Sequence, residues 1–501
     1  MKRLDFAFAA AVALSAVCAP YTKVEESFFV QAVHDVLKWG WVNRDFDHLE
    51  FPGVVPRSFV GPLAIAALAY LPVQVAAGTE GIRAQVLVRL VLGLLVAWAN
   101  GQLRAEIGRI FGRRAARWYG VLCVCQFHFT FWTSRLLGNT LALVPVLLAQ
   151  KYWLRCLWSD GAPERRRSYG AMAAILAFTC VVLRFDVAVF AATMLASGAP
   201  SATWRAVRVA AAAVAAAATL TLAVDSHYWR ANWMWPELHV FWFNAIQGRS
   251  AAWGASPAHY YLTHSIPRLL LGALPLACVG VLADTRAARL AGAYAVAIAV
   301  FSANAHKEWR FILPAVPVLN VCAAVGAARL RRIAYGRRLA AHAVVLLAGL
   351  SLLATVTMTY VSSLNYPGGD ALAQLHALEQ RTGARVHIDT FAAMTGASRF
   401  GQTRRDWTYS KAENLLEAGQ FGNFTHLLTS QPGLYARHGF EVVAAQAGYA
   451  GVQMVPLRDI PGAMLSGRLP LTLRRAPLVW IMRRVDGQEA ASSHGAAGPS
   501  N

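Results

Sequence analysis

The sequence predicts an α-helical polytopic membrane protein with about eleven to twelve membrane segments, helices lying at the membrane interface, and a small C-terminal α/β domain. Three observations predict it. First, 56% of the 501 residues are hydrophobic and only 15% are charged, against about 25% charged in soluble domains. Second, apolar runs of membrane length recur from the N-terminus to about residue 361. Third, arginines cluster in the short loops between those runs: Arg113, Arg114 and Arg117; Arg165 to Arg167; Arg205 and Arg208; Arg286 and Arg289; Arg329, Arg331, Arg332, Arg337 and Arg338. That is the pattern of cytoplasmic loops. The net charge of +21 therefore follows membrane topology rather than nucleic-acid binding.

The first run, 4–20, follows Lys2 and Arg3 and reads as an uncleaved span. A signal peptide is the alternative, since "SAVCAP" offers small residues. With a cytosolic N-terminus, loop 21–58 lies on the far side, where its acids fit. The run 59–78 then has to be interfacial or re-entrant. A full crossing would put the Arg-rich 104–117 loop on the wrong side. The remaining runs are 82–103, 118–134, 140–156, 169–183, 187–198, 209–224, 264–283, 290–303, 311–327 and 339–361. Loops around Arg135, Arg184, 225–263 and His306 face the far side, as does everything after 361.

From 362 the pattern changes. "LNYPGGD" reads as a turn, "ALAQLHALEQ" as a helix, and "ARVHID", "THLLTS", "FEVVAA" and "LVWIMRRV" as strands. Three parts result: 1–361 in the membrane, 362–485 as a far-side α/β domain, and a Gly/Ala/Ser-rich 486–501 tail expected to be disordered. Asn423 opens a glycosylation sequon. The seven cysteines lie in apolar segments without metal-ligand spacing and read as small buried residues. No metal or other cofactor is expected.

The far-side loops carry the concentrated polar chemistry. In "TKVEESFFVQAVHDVLKW" apolar positions recur at helical spacing, as in a helix lying in the membrane interface. Thr22-x-x-Glu25 also matches a capping box, so Glu25 serves either chemistry or a helix start. Glu26 points roughly 100° away. "WVNRDFDHLEFPGVVPRSF" holds Arg44, Asp45, Asp47, His48, Glu50 and Arg57 on a proline-stiffened loop suited to sugar hydroxyls, or to plain solvation. "NAHKEWRFILPAVP" places His306, Lys307 and Arg310 together, as point charge and planar fork for a phosphate; a snorkelling belt is the bland alternative. Arg184 and Asp186 interrupt an apolar run, as an ion pair or as a cavity wall. The aromatic-rich loop after Asp225 suits a membrane belt, sugar stacking, or both.

Four stretches, "PYTKVEES…QAVHD", "DFDHLEFPGVVPRSFVGP", "HKEWRFILPAVPVLN" and "NYPGG…HIDTFAAMTGASRF", resemble glycosyltransferase family 22, whose members have the GT-C fold. The resemblance covers nearly the whole chain. "HKE-x-R-F" marks the wider family, which also builds GPI anchors; "KVEES" and "DHLEFPGVVPR" resemble the branch that adds α-1,6-linked mannose in N-glycan assembly. Phe29, where Asn is expected, and Trp309, where Glu is frequent, depart from the pattern.

The resemblance implies transfer of mannose, with inversion, from dolichyl-phosphate mannose to a dolichyl-diphosphate oligosaccharide. It implies an endoplasmic reticulum membrane protein with a lumenal active site, adding the eighth mannose. Glu25 or Glu26 would be the base, and His306, Lys307 and Arg310 would hold the donor phosphate. Asp47, His48, Glu50, Arg57, Arg184 and Asp186 are further candidates for binding substrate. A mannosyltransferase of the same family acting on GPI precursors, or forming another N-glycan linkage, is the nearest alternative. A lipid or solute transporter is a remote one, disfavoured by the lack of an internal repeat.

Overall fold

The computed structural model describes residues 3–42, 45–248, 254–330, 337–413, 415, 418–459, 462, 465–466 and 471–485. Arg44, Arg331, Arg332 and the 486–501 tail lie outside the described residues. The chain divides into two compact units. The first comprises Met1–Val17, Asp35–Pro72 and Val86–Thr359; the second comprises Cys18–His34, Val73–Gln85 and Tyr360–Asn501.

The first unit is helical. Among the described residues, five helices are long and apolar enough to cross a membrane: Ile82–Ile110, Ala162–Leu183, Trp204–Trp229, Thr285–Ala303 and Arg338–Ser363. The number rises to seven if each of two bent pairs is one span. Shorter apolar helices are Val60–Ala76, Val187–Ser197 and Ala315–Leu330.

Two of the apolar stretches are sharply bent, the first between the runs 118–134 and 140–156 and the second inside the run 264–283. Phe127–Ser134 meets Gly138–Trp158 at 110°, and Tyr261–Leu270 meets Ala273–Ala283 at 104°. At the second bend Leu271 takes φ +52. There the Gly272 N–H donates to Ser351 Oγ at 2.9 Å, and a Cβ on Gly272 would lie 2.4 Å from the Leu347 carbonyl oxygen. The freed backbone is thus satisfied by a neighbouring helix, as an apolar medium requires.

Small residues let helices touch. A Cβ on Gly280 would stand 1.9 Å from the Cys322 carbonyl oxygen, and one on Gly326 2.1 Å from that of Leu276. Such close approach is the usual basis of helix association in lipid. Several buried polar groups are paired across helices. Arg104 grips Asp5 through Nε and Nη2, both at 2.6 Å. Gln126 and Asn320 exchange amide hydrogen bonds at 2.8 and 2.7 Å.

In the second unit, strands β1 (Arg385–Ile388), β2 (Thr408–Ser410), β3 (His426–Thr429), β4 (Phe440–Met454) and β5 (Leu471–Arg484) form a sheet of order β2-β1-β3-β5-β4. β1 pairs in parallel with β2 and β3; β5 is antiparallel to β3 and β4. Leu428 and Ile481 enter one core with Leu372 and Val386, while Leu427 and Met482 enter another with Phe421 and Phe440. Both sheet faces are therefore covered, which explains why β3 is buried at every position.

The sequence missed β2, which is only three residues long. It also took "NYPGGD" for a turn, whereas a helix runs Pro367–Leu378. Pro367 suits a first helical turn. Gly368 and Gly369 are needed there for space: a Cβ would lie 2.0 Å from the Ala392 carbonyl oxygen and 2.4 Å from the Tyr21 ring, respectively. Asn423, the sequon residue, is exposed in the turn before β3.

Candidate active site

The two carboxylates belong to the second unit. Val24–Glu26 forms a single 3-10 turn that leads into the helix Ser27–Trp39. Only half of a capping box forms, one residue later than Thr22 and Glu25 suggest. Lys23 is the extended N-cap, and its N–H donates to Glu26 Oε1 at 3.0 Å. Glu26 is fully buried, whereas Glu25 is exposed. The cap thus occupies Glu26 and leaves Glu25 to solvent.

The following helix also differs from a two-faced interfacial one. Its polar residues Gln31, His34 and Asp35 are buried along with Val30 and Val33. Within the second unit Gln31 Oε1 accepts the Arg399 N–H at 3.1 Å, and His34 packs edge-on against Phe400 at 4.9 Å.

The cationic candidates gather in the first unit. The span Ala162–Leu183 ends in five residues of π-helix, Thr179–Leu183, and then breaks at Arg184. Such π-turns recur at functional sites. The break turns Arg184 onto Asp186, with a fork of Nε to Oδ1 at 3.0 Å and Nη2 to Oδ2. The Phe185 N–H donates to Glu237 Oε2 at 2.7 Å. Arg57 and Arg310 share this field with Arg184, Asp186 and Glu237.

Burial disfavours charge at Glu237, Arg57 and Arg184. It pushes the Glu237 carboxyl up to about 7, against the opposing pull of Arg184 and Arg57. Burial and the neighbouring Arg184 hold the Arg57 guanidinium below its ordinary value. Arg184 is raised, because Asp186, Glu237 and Glu308 outweigh the burial that lowers it.

The 306–310 loop is organised by Glu308. Its Oε1 lies 3.2 Å from His306 Nε2, and its Oε2 accepts Arg310 Nε–H at 2.6 Å and a second bond from Nη2. Lys307 is buried, and its ammonium donates to the carbonyls of Ser256, at 2.8 Å, and Asn304. Trp309 packs its ring 5.1 Å from His128 and 5.2 Å from Trp132.

Of the other candidates, His48 is enclosed by Phe59 and Trp229, with Nε2 2.8 Å from the Tyr228 carbonyl oxygen. Burial lowers its pKa, so the neutral ring is favoured. Asp47 is buried, and its backbone N–H donates to Asp35 Oδ2 at 2.7 Å. Glu50 is exposed. The structure therefore gathers Arg57, Arg184, Asp186, His306 and Arg310, and buries His48 among aromatic rings.

Sequence reasoning missed Glu237 and Glu308. Glu308 stood inside the quoted motif, where attention fell on the cations. Glu237 is a lone acid among aromatics and carries no pattern signal.

Beside this loop runs an apolar cavity of about 1000 Å³ lined by Leu262, Leu274, Cys278, Leu282, Ile298 and Leu319. Ala258 and His259 line it too. They follow Ser256, which is stitched to the cationic loop through its N–H to Ala305 and its carbonyl to Lys307.

Comparison with known proteins agrees with this architecture. The chain is 34% identical over 479 residues to the Dol-P-Man:Man(7)GlcNAc(2)-PP-Dol alpha-1,6-mannosyltransferase of Arabidopsis thaliana, covering 90% of this chain and 92% of that protein. It is 32% identical over 498 residues to the protein of the same name from Drosophila melanogaster, covering 96% and 70%. Its fold is similar to that of ArnT from Cupriavidus metallidurans, solved bound to undecaprenyl phosphate: TM-score 0.65, 14% identity, 99% of both chains covered. The Alg9-like mannosyltransferase family profile matches residues 5–397, and the chain belongs to that family of multi-span membrane glycosyltransferases.

Proposed function

We propose that this protein transfers mannose from dolichyl-phosphate mannose to a dolichyl-diphosphate-linked oligosaccharide carrying seven mannoses, forming an α-1,6 linkage in N-glycan precursor assembly. The observation that carries the donor class is an apolar cavity whose lining residues Ala258 and His259 follow Ser256, the residue that bonds Lys307 in the loop of His306, Lys307 and Arg310. A phosphate on a long polyprenyl chain fits that pairing of grease and charge. The acceptor and linkage are supported by likeness to the Arabidopsis and Drosophila proteins along nearly the whole chain.

In this reading the acceptor 6-hydroxyl attacks the anomeric carbon of mannose. The new C–O bond forms as the bond to the phosphate oxygen breaks, dolichyl phosphate leaves, and Glu25 takes the hydroxyl proton. Inversion turns the β-linked donor into an α-linked product. Glu25 is favoured over Glu26 because Glu26 is engaged as the cap.

Arg310 and His306 stabilise the leaving phosphate, and Glu308 holds both in place. Lys307 shapes the loop and adds charge. Arg57 and Arg184 supply further positive field, balanced by Asp186 and Glu237. Asp47 and Glu50 remain proposed contacts for sugar. The proposed setting is the endoplasmic reticulum membrane, with both substrates approached from the lumen.

Purified protein in nanodiscs, given radiolabelled dolichyl-phosphate mannose and the seven-mannose lipid-linked acceptor, is expected to form an eight-mannose product. That product should be sensitive to an α-1,6-specific mannosidase. Transfer only to a GPI precursor, or no transfer, would overturn the reading.

A further inference from the structure

The stretch that delivers Glu25 is pinned, within the second unit, by one buried amide. Gln85 is fully buried at the start of Ile82–Ile110. Its Nε2–H donates to the Pro20 carbonyl at 2.5 Å, and its Oε1 accepts the Thr22 hydroxyl at 3.1 Å. The same Oε1 accepts the Ser398 hydroxyl at 2.7 Å. One side chain therefore fixes the chain on both sides of Tyr21, four residues before Glu25, and ties it to the 395–401 loop.

The surroundings repeat the connection. The Arg399 N–H donates to Gln31 Oε1, the Phe400 ring packs on His34, and the Phe400 carbonyl accepts the Gly81 N–H at 2.7 Å. Tyr21 lies against Gly369 and Gly396, where a Cβ would come within 2.4 and 2.9 Å of it. Gly396 also holds φ +123, a conformation open to glycine and to few other residues.

A buried amide with its donor and acceptor groups engaged holds geometry well, because losing any partner strands a polar group. Nothing in packing alone requires a glutamine here, since a methionine fills the same volume. We infer that Gln85, with Ser398, is a positioning residue for Glu25, and that the C-terminal unit serves the reaction by fixing the base. This rests on the reading of Glu25 as base.

The test is a kinetic cycle in the assembled enzyme. Q85M is expected to lower kcat about tenfold or more while leaving both KM values within about twofold. S398A is expected to lose less, and S398T to recover. In an E25Q background, Q85M should add no further loss to the residual rate, because the group it positions has gone. Thermal unfolding in detergent identifies any variant that merely misfolds, in which case S398A carries the cycle.

An equal further loss on top of E25Q, or a rise in KM with kcat unchanged, would overturn the proposal. E25Q at wild-type rate would remove the base, and this inference with it. E25Q inactive with Q85M at full rate would remove this inference alone.

Discussion

Glu25 and Glu26 are adjacent, yet the 3-10 turn gives them opposite environments. The sequence showed both acids and the cap, but not its register: side-chain spacing alone could not reveal that Lys23, rather than Thr22, takes the extended N-cap backbone. Two outcomes follow. E25Q is expected to lower kcat by about 10²- to 10⁴-fold with little change in unfolding temperature. E26A, which removes the acceptor of the Lys23 N–H, is expected to keep turnover within a few-fold while losing about 1–2 kcal/mol of stability, read as a drop in unfolding temperature.

Glu237 belongs to the same scale. Its raised pKa means that it gains a proton below about pH 7, leaving Arg57 and Arg184 facing Asp186 with one negative charge fewer. Donor affinity is therefore expected to strengthen as pH falls from 8 to 6, and E237Q to flatten that part of the donor KM profile. The stability term runs the same way. A carboxyl raised in the folded state contributes most below its unfolded pKa, and the contribution is lost as pH rises towards 7.

At the scale of elements, hydropathy separated the runs on either side of the bend at 135–137 but read through the one at 271–272. The bend at 271–272 packs against a partner distant in sequence, Ser351, which a window along the chain cannot see. The first helix was ambiguous between anchor and signal peptide. In the structure its Asp5 makes a bidentate, nearly buried pair with Arg104. D5A should leave that arginine uncompensated and cost about 3–5 kcal/mol in unfolding free energy.

The aromatic loop after Trp229 was legible only as a belt or a sugar platform. Trp233 is 81% exposed and holds φ +56, while the Met234 N–H to Ser226 Oγ bond at 3.0 Å fixes the turn. If the indole stacks on a sugar, W233A raises acceptor KM about tenfold, leaves donor KM unchanged, and W233F recovers most of the loss. A membrane-anchoring indole would leave acceptor KM unmoved.

For the whole molecule, composition and arginine placement were enough to give a polytopic helical protein, and the strand-like stretches after 362 to give a C-terminal sheet. What they hid is the grouping of 18–34 and 73–85 with residues beyond 360. That grouping arises from hydrogen bonds such as Ser398 to Gln85, made across more than three hundred residues. No local pattern announces them, and the apolar cavity is likewise assembled from separate helices.

The most direct measurement is the lipid-linked glycan profile of cells lacking this enzyme, with the wild-type protein restored as control. Accumulation of lipid-linked oligosaccharide with seven mannoses, relieved by wild-type protein and not by E25Q, is the expected result. Normal lipid-linked oligosaccharides together with mannose-poor GPI intermediates would contradict it.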